Sequence, residues 1–226
     1  MIINRIKGLF VTGTDTGVGK TYVAAGIAAA LTCRGVDVGV MKPAETGCRT
    51  RAGRLIPGDA LRLMKSARVK DPLSLVNPCR FRRPLAPAVA AELGIKTIDP
   101  SKIINAFQLL SNRHDFMIVE GAGGIMSPLS GTYTYLDLAK KLGLPVLIVA
   151  RPGLGTINHT LLTIAALRGR KIRIAGIVIN YALDQKSGSA EKTSPGVMEK
   201  MSRVRIAGII PYGSRRFGDL LDEIIR

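Results

Sequence analysis

The amino-acid sequence predicts an α/β fold, one doubly wound and mostly parallel β-sheet with helices on both faces. Six apolar β-type runs recur along the chain, at residues 8–12, 36–41, 116–120, 145–150, 172–180 and 204–209. Most lack polar alternation, as strands do when both of their faces are covered. Helical segments fall between them at residues 21–33, 100–112, 134–142 and 156–167. No internal repeat, low-complexity tract or linker rich in Pro, Gly or Ser interrupts this order, so the 226 residues are expected to form a single domain.

Taken in order, the first strand reads Gly-Leu-Phe-Val-Thr and runs into a glycine-rich turn, which opens directly into an Ala-rich helix. After the second strand, residues 42–115 are long, basic and rich in Pro and Gly, with short helical pieces at 58–67 and 87–93 ahead of the helix at 100–112. This stretch is expected to elaborate the substrate side of the sheet. The third strand, Phe-Met-Ile-Val-Glu, ends in a carboxylate immediately before Gly121-Ala122-Gly123-Gly124. Two further strand and helix pairs follow. Residues 184–194, Asp-Gln-Lys-Ser-Gly-Ser-Ala-Glu-Lys-Thr-Ser, read as a polar surface loop of weak order, with a short helix-like stretch from there to Met201 and the last strand beyond.

Composition narrows the function classes. With 46% hydrophobic and 22% charged residues the chain lies far from the disordered class. Its most continuous apolar run, Leu144 to Ala150, is far shorter than the ~20 residues of a spanning helix, so no membrane partner is expected. Residues 1–11 carry scattered charge and no small-residue cleavage pattern, and a cytoplasmic location is expected. Cys33, Cys48 and Cys79 are odd in number and widely spaced, which suits reduced thiols rather than a zinc site or a disulfide framework. The charge is the unusual quantity: 33 Lys plus Arg against 16 Asp plus Glu give +17. Residues 49–83 hold ten basic side chains against Asp59 and Asp71, and more lie at 168–173 and 200–216. Such a field attracts anions. Only Phe81 and Tyr212 lie within these stretches to stack bases, so a solvated basic surface is preferred over a nucleic-acid interface.

The strongest chemical signal is Gly13-Thr14-Asp15-Thr16-Gly17-Val18-Gly19-Lys20-Thr21, after a strand and before a helix. That is the context of a P-loop, and the fold is expected to be of the P-loop NTPase type. Backbone N–H groups of the turn and the helix start wrap nucleotide phosphates, Lys20 reaches the β and γ phosphates, and the Thr21 hydroxyl binds Mg²⁺. Thr14 stands where the generic motif has its first glycine, with Gly13 one residue earlier. A second lysine, Lys42, ends the next strand, which in a doubly wound sheet is expected to lie beside the P-loop. Asp59 opens a helical piece and Glu120 tips a buried strand, so Thr21, Asp59 and Glu120 offer the hard oxygens that Mg²⁺ prefers. For Asp59 alone, helix capping is an equal alternative.

These residues, with Lys42-Pro43, Gly58-Asp59-Ala60, Val76-Asn77-Pro78, Val119 to Gly124, Pro128-Leu129 and Gly155-Thr156-Ile157-Asn158-His159, stand in an order that resembles the dethiobiotin synthetase family from about Phe10 to Pro211. The resemblance implies a homodimeric P-loop enzyme that uses ATP and Mg²⁺ to close a urea ring on 7,8-diaminopelargonate with CO₂. It implies that Lys20 and Lys42 stabilise the transferred phosphoryl group, with Thr16 and Thr46 donating hydrogen bonds nearby. Gly123 then approaches the diamine, Asn180 recognises adenine with Pro211 near the base, and Gly155, Thr156 and Asn158 receive the substrate carboxylate across the dimer. His159 is expected to be structural. The leading alternative is a ParA or MinD-like ATPase switch that binds DNA or membrane. Its signature lysine, five residues before the P-loop lysine, is Asp15 here, and a carboxylate cannot donate to phosphate.

Overall fold

A computed structural model of the chain describes residues 8–184 and 188–225. The expectation of no export signal rests largely on residues 1–7, and the middle of the expected polar loop is 185–187; both lie outside the described residues. Strand β1 (Gly8–Gly13) leads into α1 (Lys20–Cys33), and β2 (Val38–Met41) follows. Next come β3 (Ala44–Glu45), β4 (Arg49–Arg51), β5 (Arg54–Ile56), α2 (Gly58–Ala67), α3 (Leu73–Val76), β6 (Cys79–Arg80), α4 (Pro87–Glu92) and α5 (Pro100–Ser111). The remainder is β7 (Phe116–Gly124), β8 (Pro128–Ser130), β9 (Tyr133–Thr134), α6 (Tyr135–Leu142), β10 (Val146–Ala150), α7 (Thr156–Gly169), β11 (Ile174–Asn180), α8 (Ser189–Ser202), β12 (Ile206–Ile210) and α9 (Gly218–Ile225).

Six strands form one sheet in the order β12-β11-β10-β1-β7-β2, every pair parallel. They are the six runs expected from the sequence, with ends displaced by a few residues at most. Their continuous hydrophobicity has the anticipated cause: every residue of β1, β2 and β10 is buried. The chain winds from β1 toward β7 and β2 on one side and toward β10, β11 and β12 on the other. The winding therefore reverses beside β1, and the crevice at the carboxyl ends of the strands is where such sheets bind ligands.

Strand β2, expected beside the P-loop, brings Lys42 to the same cleft as Lys20, although β7 lies between β2 and β1, pairing Val11 with Glu120 and Val40 with Ile118. Two expectations are corrected. Glu120 does not end its strand; β7 continues through the glycines, and its register against β1 shifts between Val11 and Gly13. Residues 189–194 are not loop but the first turns of α8. There the Glu191 carboxylate accepts the Gly188 N–H at 2.8 Å, and Ser194, Met198 and Ser202 bury one face. Pro195 lies inside that helix. The short pairs β3-β6, β4-β5 and β8-β9, and the terminal helix α9, were not expected.

At the amino-terminal end of the sheet, His114 bridges two carboxylates, with Nδ1 2.9 Å from Asp37 and Nε2 2.9 Å from Asp71. Partial burial lowers its basicity, but the hydrogen bonds and charges of the two aspartates outweigh this and raise its pKa. A raised histidine pKa contributes stability that is fully present below about 6.5, the unfolded value, and lost as pH rises through the folded value. Urea midpoints compared at pH 6 and pH 9 are expected to fall more for the wild type than for His114→Gln. Equal falls would show that the bridge carries no pH-dependent stability.

Candidate nucleotide and phosphoryl-transfer site

The site is built where β1, β7 and β2 end. Thr14 N–H donates to the Val149 carbonyl at 2.9 Å, which anchors the start of the loop on β10. Helix α1 then starts from Gly19, whose backbone is left-handed at φ 89°. A Cβ there would run into the Asn180 side chain, so conformation and space both require glycine. No side chain caps α1 and its first turn holds no acidic residue, which leaves its N–H groups for an anion.

Lys20 is 7% exposed and its Nζ donates to the Asp15 carbonyl at 3.0 Å. Burial, reinforced by the nearby charge of Lys42, lowers its pKa to about 8. Lys42 is 3% exposed and donates to Glu120 Oε1 at 2.6 Å and to the Gly121 carbonyl at 3.1 Å, with Asp59 Oδ2 at 3.2 Å. Burial depresses its basicity, but the Glu120 and Asp59 charges prevail and its pKa is raised. Thr21 donates its hydroxyl to the same Glu120 Oε1 at 2.7 Å. Glu120 is fully buried, and its second oxygen, Oε2, has no hydrogen-bond partner. A buried anionic oxygen without a donor, beside a hydroxyl and a second carboxylate, is a donor set of hard oxygens that suits Mg²⁺.

Asp59 is not the cap of its helix. Glu45, 6% exposed, reaches across from β3 and accepts the N–H groups of Asp59 at 2.9 Å and Ala60 at 3.0 Å. Its pKa is raised because burial outweighs these hydrogen bonds. Glu45 thus holds the helix end that presents Asp59 to Lys42. Asn77, fully buried, does the same for the Lys42 backbone: its Nδ2 donates to the Lys42 carbonyl at 2.6 Å, while Lys42 N–H donates to Val76 at 2.8 Å. Glu45→Ala is expected to cost about 1–2 kcal/mol in urea unfolding, the range for a lost helix cap. An unchanged midpoint would show that α2 starts without that carboxylate.

Lys20, Thr21, Lys42, Asp59 and Glu120 open onto a cleft of about 700 Å³ that Thr16, Gly17, Gly19, Thr46 and Gly123 also line. Its other wall is Pro84 to Pro87, and Ser127 stands behind Gly123, accepting the Gly124 N–H at 3.0 Å. Sequence reasoning missed Glu45, Asn77, Ser127 and this proline-flanked wall. Glu45 and Asn77 do lie beside the quoted Lys42-Pro43 and within Val76-Asn77-Pro78.

The remaining expected residues do not line this cleft. Asn180 is 1% exposed at the end of β11, donating Nδ2 to the Val18 carbonyl at 2.9 Å, while Pro211 follows β12 on the surface. Asn180 therefore braces the P-loop from behind, with its own Oδ1 unpartnered. Gly155 and Asn158 are exposed at the start of α7. Thr156 is buried and uses both donors internally, its N–H on Gly153 at 3.3 Å and its hydroxyl on Arg151 at 2.6 Å. Of the three, it is the one whose own donors are already engaged.

Comparison with known proteins gives the family of the chain. The AAA domain family matches residues 7–215. The ATP-dependent dethiobiotin synthetase BioD of Thermodesulfovibrio yellowstonii is 44% identical over 223 residues, 96% of this chain and 93% of that protein. The enzyme of the same name from Bacillus licheniformis is 44% identical over 208 residues, 91% of this chain and 86% of its own length. Among solved structures, the ParA family ATPase from Chlorobium tepidum superposes with a TM-score of 0.57, covering 97% of this chain and 91% of that one. At 16% identity, that likeness shows a shared fold and nothing of activity. With the P-loop, the paired lysines and these relatives together, the chain belongs to the ATP-dependent dethiobiotin synthetase family.

Proposed function

We propose that this chain is one catalytic domain that uses ATP to close the urea ring of dethiobiotin from 7,8-diaminopelargonate and CO₂. One amine takes up CO₂ as a carbamate, and a carbamate oxygen attacks the γ-phosphate with departure of ADP. The second amine then attacks the carbamoyl carbon of the mixed anhydride and expels phosphate. Both intermediates, the carbamate and the mixed anhydride, are anionic, so the protein's work is positioning and charge stabilisation. The observation that carries the reading is the convergence of Lys20, Lys42, Thr21 and Asp59 around one buried carboxylate, Glu120, at the start of α1.

In this reading the free N–H groups of the first turn of α1 hold the phosphates, and Lys20 leaves the Asp15 carbonyl for the γ-phosphoryl oxygens. Lys42 lies across from it and meets the charge that passes from carbamate to phosphate. Thr16 and Thr46 donate to the same oxygens, and the backbone around Gly123 leaves room for the diamine. Thr21, Asp59 and Glu120 would hold Mg²⁺, which would supply charge neutralisation to the nucleotide. Asn180 and Pro211 flank the adenine. The substrate carboxylate meets the helix start at Gly155, Thr156 and Asn158 of a second copy, which requires a homodimer. The reading includes a cytoplasmic location.

The test is phosphate release by purified protein with ATP and Mg²⁺. Release that requires both the diamine and bicarbonate is expected. Release stimulated by DNA and indifferent to the diamine would replace this reading with an ATPase switch.

A further inference from the structure

A large share of the excess positive charge is concentrated in one place. Strands β4 and β5 form an antiparallel hairpin that turns at Ala52 and Gly53 and exposes Arg49, Arg51 and Arg54. Arg51 stands directly opposite Arg54, a like-charge pair that disfavours the hairpin unless an anion relieves it. Arg82 and Arg83 lie alongside: Cys48 and Gly47, just before the hairpin, donate to the carbonyls of Phe81 and Arg83 at 3.0 and 3.3 Å. None of these five arginines has an ion-pair partner among the described residues. The only acidic side chains between residues 49 and 83 are occupied elsewhere, Asp59 by Lys42 and Asp71 by His114 and Arg113.

The place of this arm is as informative as its charge. Thr46 and Asp59, which bracket the hairpin in sequence, both line the cleft, and so do Pro84 and Leu85, which follow the arginine pair. The arm therefore stands on the rim of a cleft whose floor carries Lys20 and Lys42. We propose that the five rim arginines form an anion-collecting arm that draws the nucleoside triphosphate into the cleft, acting on its rate of entry and not on the bound complex. This rests on the nucleotide reading of the site given above. Exposed charges act over about one Debye length, about 8–10 Å at physiological salt. A cluster on the lip of a cleft raises encounter rates by roughly 10- to 10³-fold at low ionic strength, an effect that salt removes.

The experiment is stopped-flow binding of a fluorescent N-methylanthraniloyl ATP with Mg²⁺, across a series of NaCl concentrations, for the wild type and for Arg51→Ser/Arg54→Ser/Arg82→Ser/Arg83→Ser. The variant is expected to associate roughly tenfold more slowly at low salt and to show a shallower salt dependence. The two should converge at high salt, with equal dissociation rates throughout. Equal association rates and equal salt slopes would overturn the proposal. So would a change confined to dissociation, which would make the arm a direct ligand of bound nucleotide. Tight binding of duplex DNA that the variant loses, with ATP association unchanged, would overturn it in favour of a nucleic-acid surface. Absence of nucleotide binding by the wild type would overturn the site reading itself, a result distinct from the other three.

Discussion

Lys42→Met is expected to reduce turnover by roughly 10²- to 10³-fold and also to destabilise the fold by about 3–5 kcal/mol. The two losses have different origins. In the proposed reaction, turnover falls because a cation is removed from the place where negative charge passes between carbamate and phosphate. Stability falls because Glu120, fully buried, loses the ammonium 2.6 Å from its Oε1 and keeps only the Thr21 hydroxyl. An unpaired buried carboxylate costs far more than a missing pair. The second variant that separates the losses is Lys42→Met/Glu120→Gln, which should regain most of the stability and none of the turnover. Urea unfolding and phosphate release on the same samples check both. Near-normal turnover in Lys42→Met would remove that lysine from the reaction.

Lys20→Met is expected to cost a similar factor in turnover, roughly 10²- to 10³-fold, with little loss of stability. In the free protein Lys20 has its pKa lowered to about 8 by burial and by the charge of Lys42. A triphosphate beside it favours the ammonium, so nucleotide binding raises that pKa. The sign follows: near and above pH 8, binding takes up protons, and affinity declines as pH rises through that value. Well below pH 8 the lysine is already charged and the uptake vanishes. Calorimetry in two buffers of different ionisation enthalpy measures this directly. A proton uptake of the same size in Lys20→Met would assign it to another group. Lys42 is not expected to contribute, since Glu120 and Asp59 already hold it protonated in the free protein.

The sheet was legible in the sequence because burial on both faces leaves a strong local mark: a continuous run such as Val146 to Ala150 needs no partner to be recognised. The P-loop was legible for a similar reason, since glycine spacing, lysine and helix start all lie within nine residues, 13–21. Neighbour order was not. Nothing in 38–41 says that 116–124 will insert between it and β1, because that depends on which strands compete for the central edge. The stretch between β2 and β7 was hard to read because its elements are short and are made by distant contacts. Strands β3 and β6 are two residues each and exist only because they meet. Glu45 escaped for the same reason: it caps a helix that begins 13 residues later, where no local pattern points back to it. The first turns of α8, residues 189–194, escaped for the opposite reason, since their polar sequence just before Pro195 argues locally against the helix that packing against α7 sustains.

The hold of Glu45 on the start of α2 has a consequence for how this enzyme can diversify. By bonding to residues 59 and 60, it closes the intervening chain into a loop tied at its base. Beyond Thr46 and the bonds of Gly47 and Cys48, the hairpin that hangs from that knot can be lengthened, shortened or recharged while Lys42 and Asp59 keep their separation. The entropy of closing such a loop changes only slowly with its length, so variation there is inexpensive. The hairpin's surface charge is thus separable from the geometry beneath it, which the Glu45 bonds fix independently.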